Sequence, residues 1–142
     1  IQPAFLASES GWLEDRVGAA RTAWVSPFAS LRDAGIPLAG SSDSPVEPPH
    51  PLWGMAAAVD RHGISPAEAL SPLSALGLFT SGAARAIREP EPLAIGSAAD
   101  LVVLDTNLAD ASANQIYDCS VLTTYVDGHA LDLDRSQPTW VD

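Results

Sequence analysis

The sequence predicts an α/β fold, and three observations carry that prediction. A short apolar run, Ile36 to Ala39, is bounded by glycines, follows a helix-like segment and leads to Asp43, which is the order of a parallel α/β unit. Beyond Glu89-Pro90-Glu91-Pro92 the hydrophobic period changes from helical to strand-like. The pair Asp127-Gly128 then separates two strand-like segments, and a tight type I′ hairpin demands such residues.

Taken in order, Ile1 to Leu6 reads as a short strand, and residues 12 to 23 carry weak helical patterning through Trp12, Leu13, Val17 and Ala20. Pro27 suits a first helical turn, Phe28 and Leu31 lie three apart, and Gly35 can take the left-handed conformation that ends a helix. Ile36 to Ala39 is then expected as a strand buried on both faces. From Pro51, the apolar residues Leu52, Met55, Ala56 and Val59 occupy i, i+3, i+4 and i+7, and Gly63 is expected to close that helix. Ser65-Pro66-Ala67-Glu68 reads as a capping box, Ser71-Pro72 as a second helix start, and helix is expected again from Thr80 or Ser81 to Ile87. Two prolines between residues 89 and 92 remove amide donors and clash with a preceding turn, which places a boundary between residues 1–88 and 89–142. In the second part, Ala99 to Asp105 and Val121 to Val126 are strands, and His129 to Leu133 returns antiparallel to the latter.

The 142 residues, 46% hydrophobic and with mean hydropathy +0.10, suit a globular chain with a real core. The net charge of −11, with arginine as the only basic residue type besides histidine, argues against nucleic acid as a partner. The lack of lysine excludes a Schiff-base enzyme built from these residues alone. Cys119, the single cysteine, reads as a small buried hydrophobe. No apolar run approaches the ~20 residues of a membrane span, and the opening residues lack the basic region of a signal peptide. No membrane partner and a cytoplasmic location are therefore expected, for a chain that reads as a piece of a longer polypeptide.

Asp43 stands out as the candidate for chemistry. An aspartate beside serine and proline often forms an Asx-turn or helix cap. At the C-terminal end of a strand in an α/β fold, where ligands gather, it can instead meet an ion or substrate. His50 follows closely enough to line the same mouth, and Trp53 opens the next helix, so both are candidates for substrate contact. Their plainer readings are an exposed loop histidine and a packing tryptophan. Glu47 is a supporting candidate, His62 fits a helix C-terminus, His129 a solvated strand, and Asp100 and Asp105 the ends of a strand. No histidine has the i, i+2 or i, i+4 partner common in metal sites.

The phrase SLRDAGIPLAGSSDSPVEP, followed by TSGAARAI and LAIGSAADLVVLD, resembles the C-terminal part of the amidohydrolase superfamily, family 3 branch, with its deacylase-like and deformylase-like members. The likeness runs from Gln2-Pro3-Ala4-Phe5 to Leu131, and its most specific elements are Ser42-Asp43-Ser44-Pro45-Val46 and Gly96 to Asp105. It implies a (β/α)8 barrel joined to a small β-sandwich, with Gln2 to Phe5 on the seventh barrel strand, Ile36 to Ser42 on the eighth, and Ala99 to Leu133 in the sandwich. Asp43 then matches the aspartate that ends strand eight, a metal-binding and catalytic carboxylate that moves a proton from the metal-bound water to the leaving nitrogen. The implied reaction is hydrolysis of a non-peptide carbon–nitrogen bond in an amide, formamide or acylamino compound. The implied cofactor is a divalent metal, with zinc expected.

The sequence also departs from that pattern. The paired histidines of the first strand, those of the middle strands and the bridging lysine are absent, and Ser97 replaces a frequent lysine. One carboxylate does not make a zinc site, which usually takes about three or four ligands. A complete barrel uses about 250 residues. This chain alone is therefore expected to be inactive and to bind no metal stably, and its partners are expected to be the missing N-terminal part, a small-molecule substrate and copies of itself in a homo-oligomer. The competing expectation is a non-catalytic α/β fragment or interaction module in which Asp43 only caps a turn.

Overall fold

The computed structural model describes residues 1–131. Among them run helices α1 (Phe5–Glu9), α2 (Leu13–Val17), α3 (Ala19–Thr22), α4 (Phe28–Asp33), α5 (Pro51–Asp60), α6 (Pro72–Phe79) and α7 (Ser81–Ile87). Strand β1 (Leu101–Leu104), helix α8 (Ala113–Tyr117), and strands β2 (Val121–Val126) and β3 (His129–Leu131) follow. The result is mixed α/β, with one antiparallel sheet in the order β1-β2-β3.

Helix α5 lies at the centre of the packing, against α6 and α8. Its predicted stripe is buried at Leu52, Met55 and Ala56, and the small residues Gly54, Ala57 and Ala58 are buried too, so neighbouring helices approach on more than one side. Leu6, Phe28, Met55, Leu78 and Ile116 belong to a single core cluster. Burying Met55 or Ile116 contributes about 1.5–3 kcal/mol each. Leu108, Ile116 and Cys119 lie beyond the Glu89–Pro92 segment and share this core with α1 and α5.

Several local predictions hold for the reasons that suggested them. Gly35, at φ 74°, ends α4 as a Schellman motif, with Ile36 N donating to Leu31 O at 3.1 Å and Gly35 N to Arg32 O at 2.9 Å. Ser71 caps α6 by accepting from Ser74 N at 3.2 Å. Asp127 and Gly128 both take positive φ, 50° and 75°, and turn β2 into β3. Residues 132–133 of the expected return strand lie outside the described residues.

Two predicted strands of the first half are not formed. The chain turns after Ile1 and enters α1, which buries Leu6, so only Ile1 of the expected Ile1–Leu6 strand makes a strand-like backbone pairing. Ile36 to Ala39 forms no ladder, and Ile36 is 47% exposed. A strand buried on both faces needs pairing on both edges, and the described residues supply Ile1 on one side only. What remains is a single parallel bridge: Ile1 N donates to Ala39 O at 2.9 Å, and Ser41 N donates to Ile1 O at 2.9 Å.

Other predictions are corrected by tertiary contacts. The weak pattern over residues 12 to 23 splits into α2 and α3 at Gly18, whose φ of 80° breaks the helix. Arg61, not Gly63, takes the left-handed position that ends α5. The Ser65–Glu68 capping box is not made: Ser65 Oγ donates to Thr22 O at 2.9 Å, and the Glu68 carboxylate accepts from Ser30 N at 2.8 Å and from the Ser30 hydroxyl. Glu68 thus caps α4, a helix distant in sequence.

Candidate functional site

The segment that carries Asp43 is seated by its glycines. Gly40 N donates to Leu78 O at 2.9 Å, and the Phe79 ring fills the space beside both Gly40 and Gly54. A Cβ on Gly82 would collide with Leu38 O, so the same segment also lies directly against the start of α7. On its other edge it is held by the Ile1 bridge and by Gln2 Nε2, which donates to Ser41 Oγ at 3.2 Å.

At the end of that seated segment the chain reverses. Asp43 adopts φ 57°, a left-handed conformation that aspartate tolerates better than most residues. Its carbonyl accepts from Val46 N at 2.9 Å, while Ser42 Oγ accepts from Ser44 N at 3.2 Å. The local capping is therefore done by Ser42 and the Asp43 backbone. The Asp43 carboxylate is exposed and makes no hydrogen bond or ion pair among the described residues.

Three prolines, Pro45, Pro48 and Pro49, carry the loop to His50, whose amide donates to Pro48 O at 2.7 Å and whose carbonyl accepts from Trp53 N at 3.1 Å. The His50 and Trp53 rings stack at 4.6 Å between centroids and 12° between planes. Trp53 stacks in turn on Tyr117 of α8 at 5.4 Å and 14°. Trp53 thus stacks with both His50 and Tyr117. His50 Nδ1 is buried without a hydrogen-bond partner, and burial pushes the imidazole below its ordinary pKa, so it stands neutral at neutral pH. The imidazole lines a 260 Å³ cavity with Gly40, Ser41, Ser42 and Phe79.

The structure thus places Asp43 and His50 at the two ends of one loop, with Trp53 directly behind His50. Glu47 lines a different cavity, beside Trp53, Asp60, His62 and Tyr117. His62 follows α5 with its Nδ1 3.7 Å from Asp60 Oδ2, and His129 is exposed at the hairpin. Asp100 accepts from Asp127 N at 2.7 Å and Asp105 from Ser120 N at 3.0 Å, so both tie strand ends. Tyr117 is not among the candidates that the sequence singles out. Its signal is Ser112 with Gln115 three residues on, a capping box that the structure forms and that starts α8.

Comparison with known proteins gives consistent matches. A model of the amidohydrolase family matches residues 1–131. Over 139 residues the chain is 32% identical to a Bacillus subtilis protein named as amidohydrolase YtcJ, a match covering 90% of this chain and 26% of that protein. It is 32% identical over 110 residues to the N-substituted formamide deformylase of Arthrobacter pascens, covering 72% of this chain and 20% of that one. Among solved structures, an uncharacterized metal-dependent hydrolase from Pyrococcus furiosus matches 59% of this chain and 18% of its own, with TM-score 0.54 and 38% identity. The chain therefore spans about a quarter or less of these relatives.

Proposed function

Because the chain belongs to the amidohydrolase family, whose model matches residues 1–131, we propose that it is the C-terminal segment of a metal-dependent hydrolase with Asp43 as a catalytic carboxylate. The bond cleaved is a non-peptide carbon–nitrogen bond, in an amide, formamide or acylamino compound. In this reading residues 1–88 are the last two β/α units of a (β/α)8 barrel, and residues 89–142 belong to a small β-sandwich. The parallel bridge between Ile1 and Gly40 supports adjacent parallel strands there, and the antiparallel β1-β2-β3 sheet supports the second assignment.

One observation carries the assignment of Asp43: its carboxylate is exposed and uncommitted at the end of a seated segment, while Ser42 does the local capping. The competing turn role would draw on the left-handed φ of 57° and the Val46 N to Asp43 O hydrogen bond, neither of which uses the carboxylate. A carboxylate at such a mouth can accept a proton from an attacking water and return it to the departing nitrogen.

The metal does not fit this chain alone. Among the described residues no three histidine, cysteine, aspartate or glutamate side chains gather in a way that could hold an ion. Asp43 is then one ligand of several, and the others come from the rest of the polypeptide. A divalent ion, with zinc expected, supplies Lewis acidity when bound.

The same reading gives the segment three partners: the rest of its polypeptide, a small-molecule substrate, and copies of itself in a homo-oligomer. The half-exposed Val102, Leu122 and Val126, on a sheet whose edge strands β1 and β3 pair with no further strand among the described residues, support such association. The net charge of −11 opposes nucleic acid, and among the described residues no helix is long and apolar enough to cross a membrane. A cytoplasmic location accords with the free, buried thiol of Cys119.

The test is Asp43→Ala in the full-length polypeptide, read by metal content and by hydrolysis of a panel of formamides and N-acyl amino acids. Loss of hydrolysis with reduced metal is expected. Unchanged metal and unchanged turnover in the variant would sink the assignment.

A further inference from the structure

We infer that Tyr117 is a positioning residue for the site at Asp43, acting through Trp53 to hold the His50 imidazole as a fixed wall of the cavity beside that site. The inference rests on the reading of Asp43 given above. Its own evidence is geometric: three near-parallel rings stand in one column, with centroid spacings of 4.6 Å and 5.4 Å.

The column crosses the fold. His50 closes the loop that begins at Asp43, Trp53 lies in the first turn of α5, and Tyr117 is the last residue of α8, far along the chain. Helices α5 and α8 are tightly packed, and Ile116, next to Tyr117, is fully buried. Tyr117 is itself 52% exposed, so its ring contributes little to that core. What it does is stack on Trp53. Offset-stacked aromatic pairs favour the geometry seen here, and each rigid ring restricts the next.

At the far end of the column, the imidazole cannot be held by hydrogen bonding through Nδ1, which is buried without a partner. Stacking is the contact that orients it. An imidazole so held presents an uncharged, flat wall to a cavity whose lining also includes Ala4, Gly40, Ser41, Ser42, Gly54 and the Phe79 ring. Such a cavity suits an uncharged, apolar substituent of the substrate and disfavours a carboxylate. Tyr117 touches no substrate; it determines how well substituents that reach His50 are held.

The experiment compares Tyr117→Ala, Tyr117→Leu and Tyr117→Phe in the full-length protein, using formamides whose N-substituents grow from methyl to aryl. Tyr117→Ala and Tyr117→Leu are expected to raise KM about tenfold for the aryl member, with kcat within about twofold and the methyl member unaffected, while Tyr117→Phe behaves as wild type. In a His50→Ala background the Tyr117→Ala effect is expected to vanish. Independently of turnover, selectively ¹³C-labelled histidine should show the His50 ring protons losing their upfield ring-current displacement in Tyr117→Ala. Unchanged His50 shifts, an unchanged KM, or effects that add to those of His50→Ala would overturn the inference. Asp43→Asn, assayed alongside, separates it from the underlying reading: activity surviving that change removes Asp43 as a catalytic group, whatever Tyr117 does.

Discussion

The Phe79 ring occupies the position that a side chain on Gly40 would take: a Cβ there would lie 2.6 Å from the ring's Cζ. This contact sets the distance between α6 and the segment that ends at Asp43. Gly40 N, bonded to Leu78 O, closes the same junction through the backbone.

Gly40→Ala should therefore destabilise the protein by about 1–3 kcal/mol, the usual cost of forcing a filled space. Phe79→Leu in the same chain should recover part of that loss. Urea midpoints of the single and double variants measure both effects. Equal stability of Gly40→Ala and wild type would show that the ring swings aside freely.

Arg61 is fully buried, although arginine is rarely found so. Its Nε donates to Ile64 O at 2.8 Å and Ser65 O at 3.0 Å, its NH2 nitrogen donates to Val25 O at 3.2 Å, and the guanidinium lies 5.1 Å from the centre of the Phe28 ring. Arg61→Leu leaves Ile64 O and Val25 O without these donors, while Ser65 O keeps Glu68 N, and should cost about 3 kcal/mol. Arg61→Lys should rescue little, since an ammonium cannot reproduce the planar fork. Thermal unfolding of both variants checks the order.

Glu68 links stability to pH. The hydroxyl and amide of Ser30 hold its carboxyl below the usual carboxylate range. A folded value below the unfolded value of about 4.3 means that the stabilisation is complete above that pH and is lost as pH falls through the lower folded value. Glu68→Gln should thus unfold at lower urea than wild type at neutral pH, and the two midpoints should converge in acid. A gap that stays constant across this window would deny the carboxylate its role as the cap of α4.

Asp43→Asn should behave in the opposite manner. With no hydrogen bond to lose from an exposed carboxylate, its stability should stay within about 0.5 kcal/mol of wild type. Hydrolysis by the full-length protein should fall by about 100-fold or more. A clear loss of stability without loss of turnover would return Asp43 to the role of a turn residue.

Features written in contiguous residues are legible in the amino-acid order alone. The Schellman end at Gly35, the Ser71 cap, the β2–β3 hairpin at Asp127-Gly128 and the helix from Pro51 each depend on a few neighbours whose conformational preferences agree. The motif around Asp43 is legible in the same way, because a family phrase is local. The Ser65–Glu68 signal misleads for a physical reason: a carboxylate takes the strongest donors within reach, and folding brings Ser30 closer than its own helix start.

The sequence by itself determined the α/β class, the hairpin register, the position of Asp43 at the end of an apolar segment and the likeness to amidohydrolases. Tertiary structure alone decided that the segment after Ile36 makes one bridge, between Gly40 and Ile1, rather than a ladder, since strand pairing depends on partners that local sequence does not specify. It also decided that Glu68 caps α4, that Arg61 is buried among carbonyls, and that Tyr117 completes a ring column with Trp53 and His50. Each of these joins residues distant along the chain, and their proximity is a product of packing the α5-centred core, which no local preference encodes.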